Sequence, residues 1–128
     1  MAAFSQAVFV ILVLLVEAQE NRQASVVKEG EDLFLYIYQV PEDYSVIEWQ
    51  FNNTAYLVRS SPGEEPEVSP EYSGRIEFTG DGFSVKLKNL QLADSGVYTA
   101  RVLLPVGFQQ RVEYDVTVEG ESTFRLRC

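Results

Sequence analysis

From Gln23 onward, apolar and polar side chains alternate with a period of two. Leu33, Leu35 and Ile37 interleave with Phe34, Tyr36 and Tyr38, and Ile47, Trp49 and Phe51 with Glu48 and Gln50. Phe83, Val85 and Leu87 interleave with Ser84, Lys86 and Lys88, and Tyr98, Ala100 and Val102 with Thr99, Arg101 and Leu103. A last run sets Val112, Tyr114, Val116 and Val118 against Arg111, Glu113, Asp115 and Thr117. In an extended chain successive side chains point to opposite faces, so each run predicts a strand with one core row and one outward row. The runs are rich in β-branched and aromatic residues, which suit a half-buried pleated surface. Turn formers separate them at residues 40–43, 52–54, 60–63, 79–82 and 104–107. Gly80 and Gly82 predict a hairpin within residues 78–83, because glycine accepts positive φ. Short strands at this spacing predict an all-β antiparallel sandwich or barrel. Residues 87–96 alone resemble a helix, and their Asp94-Ser95-Gly96 reads as a corner instead.

The start of the chain follows another rule. Residues 1–16 carry no charged side chain, and residues 7–16 are apolar throughout. Ten helical residues rise about 15 Å, half of the roughly 30 Å of a bilayer core. With compact residues at Val16 and Ala18, this segment reads as a signal peptide, residues 1–18, cleaved after Ala18. Residues 23–119 then form one domain, and residues 120–128 are a C-terminal tail or the start of a missing segment. No second apolar run approaches the ~20 residues of a membrane span. The expected location is extracellular, secreted or at the cell surface, with membrane attachment only through a segment absent from this chain.

Composition narrows the chemistry. The chain has 19 acidic and 10 basic residues, a net charge of −9, no His and one Cys. Without His there is no Ser-His or Cys-His nucleophile pair and no imidazole-ligated metal. One Cys makes neither an internal disulfide nor a thiolate cage. The negative charge opposes binding to nucleic acid, whose affinity comes mainly from Lys and Arg. At 46% apolar and 12% aromatic the chain is a folding sequence. The acidic stretch 63–71 lacks the ligand spacing of a Ca²⁺ loop, and Pro66 and Pro70 keep it extended, so it reads as a solvated loop replacing an edge strand. We expect no catalytic residues, no metal and no cofactor, and a domain that binds rather than transforms.

One constellation is more specific. Gly30-x-x-Leu33-x-Leu35-x-Ile37 is followed twelve residues later by Trp49, the one Trp, then by Arg75, and then by Asp94-Ser95-Gly96-Val97-Tyr98-Thr99-Ala100. This pattern resembles the immunoglobulin V-type domain, an antiparallel β-sandwich. The resemblance implies that the Tyr98 hydroxyl bonds back to the preceding corner, that Arg75 and Asp94 pair across one end of the sandwich, and that Trp49 fills its centre. It also implies that Ile37 and Ala100 occupy the two positions of the inter-sheet disulfide. Leu35, Ile37, Trp49, Leu87, Tyr98 and Val116 must then supply by packing what a bridge worth about 4 kcal/mol would have supplied. The missing bridge, together with Gly74-Arg75-Ile76-Glu77-Phe78, the run from Leu90 to Tyr98 and the ending Arg111 to Val118, is similar to the N-terminal domain of the signalling lymphocytic activation molecule family of immune adhesion receptors.

That family engages partner V-type domains through the sheet of strands C, F, G and C′. Carried onto this sequence, the outward residues there are Glu48, Gln50, Thr99, Arg101, Leu103, Arg111, Glu113 and Asp115, with Arg101 and Leu103 the expected anchors. The expected partner is another Ig-like V-type domain, through homophilic or heterophilic contact, self-association included. Two other readings stand beside it. One is a soluble secreted ligand-binding or decoy sandwich without an anchor. The other is a carrier with a cavity lined by Leu35, Trp49 and Val116. Phe34, Tyr36 and Tyr38 predict a second, aromatic surface on the opposite sheet. Asn52-Asn53-Thr54 is an N-glycosylation sequon with Asn52 as acceptor. Cys128 is left to bridge to a partner chain or to a further domain.

Overall fold

The computed structural model describes residues 22–80 and 82–120. The expected signal peptide and residues 121–128 lie outside them. The described residues form nine strands: β1 (Arg22–Lys28), β2 (Leu33–Leu35), β3 (Val46–Phe51), β4 (Ala55–Ser60), β5 (Glu67–Val68), β6 (Ile76–Phe78), β7 (Val85–Leu87), β8 (Gly96–Leu104) and β9 (Gly107–Glu119). They build a six-stranded sheet in the order β1-β9-β8-β3-β4-β5 and a three-stranded sheet in the order β2-β7-β6. Pairing is antiparallel except between β1 and β9, which run parallel. Of the all-β sandwich or barrel that the alternation allows, the structure is the two-layer sandwich that the resemblance implied.

The inward rows meet between the layers as the period-two pattern requires. Leu33, Leu35, Val85 and Leu87 from the small sheet and Ile47, Trp49, Tyr98, Ala100, Val102, Tyr114 and Val116 from the large one are buried in a single core. The Trp49 indole N–H donates to the Phe83 carbonyl at 2.9 Å, and its ring lies 6.1 Å from that of Tyr114. Tyr98 packs its ring 4.9 Å from Phe51. Leu35, Trp49 and Val116, the positions offered to a carrier cavity, are closed core. Ile37 and Ala100 are buried as well, one just beyond β2 and the other in β8.

The end latch forms as the resemblance implied. The Tyr98 hydroxyl donates to the Asp94 carbonyl oxygen at 2.7 Å. Arg75 reaches Asp94 with two bonds, Nη2 to Oδ2 at 2.7 Å and Nη1 to Oδ1 at 3.3 Å, and its Nε donates to the Lys88 carbonyl at 3.1 Å. Asp94 Oδ2 also accepts the Gln91 amide at 2.7 Å. Burial pushes the Tyr98 phenol well above its ordinary range, and the bond to Asp94 pushes the Arg75 guanidinium up. Both therefore keep their protons at any physiological pH.

Three local readings are corrected. Stretch 63–71 is not a loop in place of an edge strand: β5 pairs there with β4, Val68 opposite Val58, and Tyr72 in the following 3₁₀ turn is buried. Two apolar side chains anchor an otherwise acidic segment. The corner at 87–96 contains a single 3₁₀ turn, Leu92–Asp94. The alternation from Leu33 to Tyr38 holds throughout, yet β2 ends at Leu35. At Tyr36 the Tyr114 hydroxyl crosses from the large sheet, accepting from the Tyr36 amide at 3.1 Å and donating to its carbonyl at 2.9 Å. Phe34, Tyr36 and Tyr38 do point outward, 49%, 38% and 69% exposed, and stack at 6.1 and 6.2 Å.

Candidate binding face

The outer face of the six-stranded sheet is laid out by register. Gln50 lies opposite Thr99, Thr99 opposite Glu113, and Glu113 opposite Arg22, so these four form one row across the strands. The next row in one direction holds Glu48 and Arg101, with Arg59 opposite Glu48; the next in the other holds Val97 and Asp115. Sequence alternation brings Glu48, Gln50, Thr99, Arg101, Leu103, Glu113 and Asp115 to this one face. Their roles differ.

Glu48 is only 7% exposed, correcting its expected presentation to a partner. Its Oε2 accepts from Arg59 Nε and its Oε1 from Gln50 Nε2, both at 2.6 Å, while Arg101 Nη1 stands 3.9 Å away. A carboxylate pulled under three longer donors becomes the floor of the face, and it pushes the Arg59 guanidinium up. Thr99 is corrected likewise: at 1% exposure it lies beneath the row formed with Gln50 and Glu113, and its Oγ1 has no hydrogen-bond partner. A buried hydroxyl without a partner costs about 1–3 kcal/mol, and a methyl of the same shape does not. Thr99→Val is therefore expected to leave stability unchanged or raise it by about 1 kcal/mol, read by urea unfolding; a loss of similar size would show that the hydroxyl is satisfied in solution.

Arg101 is held by a ring and a loose ion pair. Its guanidinium lies 4.2 Å over the Phe108 ring, and its nearest carboxylate is Glu48 at 3.9 Å, beyond hydrogen-bond length. Leu103 stands opposite Phe108, which is 48% exposed. Glu113 is engaged by Arg22 at 2.8 Å, whereas Asp115 is exposed and makes no hydrogen bond or ion pair among the described residues. Arg111 departs from expectation. A bulge between Ala100 and Arg101 takes it out of register, and its Nη2 donates to the Gln39 carbonyl at 2.8 Å, clasping the segment after β2 instead of the binding face.

A buried central Trp, a phenol bonded to its own corner and an Arg–Asp latch closing two sheets are on hand, and the sequence matches the immunoglobulin V-set domain over residues 19–128. The chain belongs to the immunoglobulin V-set family. With one Cys it is a V-set domain without an internal disulfide, and Ile37 and Ala100, the positions that the resemblance offers to the two cysteines, are both buried. Its fold is similar to the first Ig-like domain of human CD48 antigen, with a TM-score of 0.65 and 20% identity over 77% of this chain and 83% of that one. It is also similar to murine CEACAM1b, at 0.62 and 19% over 74% and 50%, and to the CD2-binding domain of CD58, at 0.59 and 11% over 76% and 53%.

Reasoning from sequence missed three residues of the V-set face. Tyr56 and Arg59 on β4 stack, guanidinium over ring at 3.8 Å, and the Tyr56 hydroxyl donates to Glu67 at 3.1 Å. They were hidden because a second bulge, between Trp49 and Gln50, leaves Leu57 and Val58 both buried and breaks the alternation of β4. Phe108 was hidden because it lies between the turn at 104–107 and the alternating run that starts at Arg111. Asn52 sits in the exposed β3–β4 turn at φ 51°, with its amide donating to the Val97 carbonyl at 2.7 Å and its Oδ1 accepting from the Val97 amide at 2.8 Å. Gly96 permits this approach: a Cβ there would lie 2.6 Å from Asn52 Oδ1 and 2.7 Å from the Phe51 ring.

Proposed function

We propose that this V-set domain is an extracellular, non-catalytic recognition module that docks another Ig-like domain through the outer face of its six-stranded sheet. The observation that carries the reading is Arg101, stacked on Phe108 beside Leu103, with only a loose ion pair to Glu48 at 3.9 Å and no hydrogen bond among the described residues. An oriented guanidinium next to an exposed aromatic is the arrangement that anchors protein interfaces. The resemblance to the signalling lymphocytic activation molecule family supports it, as does the similarity to a domain of CD58 described as CD2-binding. The location that goes with this function is the cell surface or the extracellular space.

The test is a pairwise binding array of the secreted chain against itself and against other V-type ectodomains. Arg101→Glu is expected to weaken any wild-type signal tenfold or more while a cooperative melting transition is kept. Undiminished binding, or binding lost only in a Tyr36→Ser/Tyr38→Ser variant of the opposite sheet, would remove the assigned face. Asn52 is proposed to carry an N-glycan, since it stands in an exposed turn of a chain expected to be secreted. Intact-mass measurement of the chain from eukaryotic cells is expected to show a glycan that Thr54→Ala abolishes; identical masses would rule it out.

A further inference from the structure

We infer that residues 121–128 of this chain dock in the groove between β1 and β2, pairing as a short strand with the open edge of β2 at Phe34 and setting Arg125 and Arg127 against Glu31 and Asp32. The groove lies at the margin between the two sheets, and the inference stands apart from the binding reading above.

The groove has a volume of about 460 Å³ and is lined by Val26, Val27 and Phe34 together with Gly30, Glu31 and Asp32. Its β2 wall is an unpaired strand edge. Main-chain groups two residues apart in a strand point the same way. Those of Tyr36 point out of the small sheet to the Tyr114 hydroxyl, so those of Phe34 point out as well. From the other side, the Lys88 amide donates to the Arg75 carbonyl at 2.8 Å, so Lys86, the register partner of Phe34, turns its main chain toward β6. The Phe34 N–H and C=O are therefore open to an added strand. The carboxylates nearby are half committed. Glu31 Oε1 accepts from the Lys28 amide at 3.1 Å, and Asp32 Oδ1 from the Asn89 amide at 3.0 Å. Lys86 stays 3.9 Å from Asp32 Oδ2, beyond hydrogen-bond length, so among the described residues each carboxylate keeps an oxygen for a guanidinium.

The occupant follows from where β9 ends. The Glu119 carbonyl accepts from the Glu29 amide at 2.8 Å, and a Cβ on Gly120 would lie 3.5 Å from Glu29 Oε1. The chain thus leaves Gly120 beside the connection that carries Gly30, Glu31 and Asp32. Eight extended residues reach about 26 Å, whereas Phe34 lies at most about 14 Å beyond Gly30. The sequence that follows suits the groove. Phe124 and Leu126 alternate with Arg125 and Arg127, so an extended segment turns two apolar side chains to one side and two guanidinium groups to the other. Charge favours the pairing: residues 29–32 hold three carboxylates, and residues 121–128 hold two of the ten basic side chains. Its length is limited too, because Tyr114 already occupies the next rung, at Tyr36.

Paramagnetic relaxation is the test, with a nitroxide on Cys128, the one Cys of the chain. In the full chain labelled with nitrogen-15, the amide signals of Gly30, Asp32 and Phe34 are expected to lose at least threefold in intensity relative to the reduced nitroxide. Arg125→Glu/Arg127→Glu and Glu31→Arg/Asp32→Arg are each expected to abolish most of that loss, and the combination of all four changes to restore it. Circular-dichroism melting shows which variants keep the fold; should the change at 31 and 32 unfold the domain, the change at 125 and 127 gives the same reading from the other partner. Weak broadening spread around Gly120 and indifferent to these charges overturns the docking. Broadening of a label-free nitrogen-15 copy by a nitroxide-bearing copy overturns the chain's own segment as occupant and assigns the groove to a second copy's.

Discussion

Replacing Ile37 and Ala100 together by cysteine is expected to stabilise the domain by about 3 kcal/mol. A bridge closing a loop of about 64 residues removes about 4 kcal/mol of unfolded-chain entropy, and trading the buried Ile37 side chain for the smaller cysteine costs about 1 kcal/mol. Both residues are buried, one after β2 and one in β8, so the bridge joins the two sheets across the core. Denaturant unfolding with and without reductant measures the gain directly. Equal midpoints under the two conditions, with two free thiols titrated in the folded state, would show that the side chains do not face each other.

The opposite extreme is Trp49→Ala. Emptying the centre of the core costs about 3–5 kcal/mol, and the Phe83 carbonyl loses its donor as well. A domain of this size holds roughly 5–15 kcal/mol in all, and this one has no bridge to limit its unfolded state. The expected result is loss of the cooperative thermal transition near physiological temperature, whereas Trp49→Phe, which keeps a ring and drops only the N–H, retains it at a lower midpoint. A Trp49→Ala protein melting within a few degrees of wild type would mean that the indole is not the centre of the fold.

The sandwich was legible because alternation is a property of the chain itself. Leu35, Trp49, Tyr98 and Val116 had to share a side with their neighbours at i ± 2, and they do. The Arg75–Asp94 latch and the Tyr98 corner were legible because their spacing matched a known pattern. The binding face was legible only in part, and the reason is physical. Parity tells which side a residue takes, not how tall its neighbours stand, so Glu48 and Thr99 point outward and are nonetheless covered. Parity also fails wherever a strand gains a residue, as at the Ala100/Arg101 and Trp49/Gln50 bulges, which sent Arg111 elsewhere and concealed Tyr56 and Arg59. Phe108 carried no signal of its own, since nothing in a Val-Gly-Phe sequence announces that an arginine will lie over its ring.

The crossing of Tyr114 to Tyr36 has a consequence for how the molecule behaves when crowded. Because β1 runs with β9, the β2 margin of the small sheet carries no further strand among the described residues, and it lies beside a row of three stacked rings. Such a margin is where chains ordinarily template one another into fibrils. By committing one phenol to both main-chain groups of the middle residue, the fold withdraws a rung that an incoming strand would otherwise pair with.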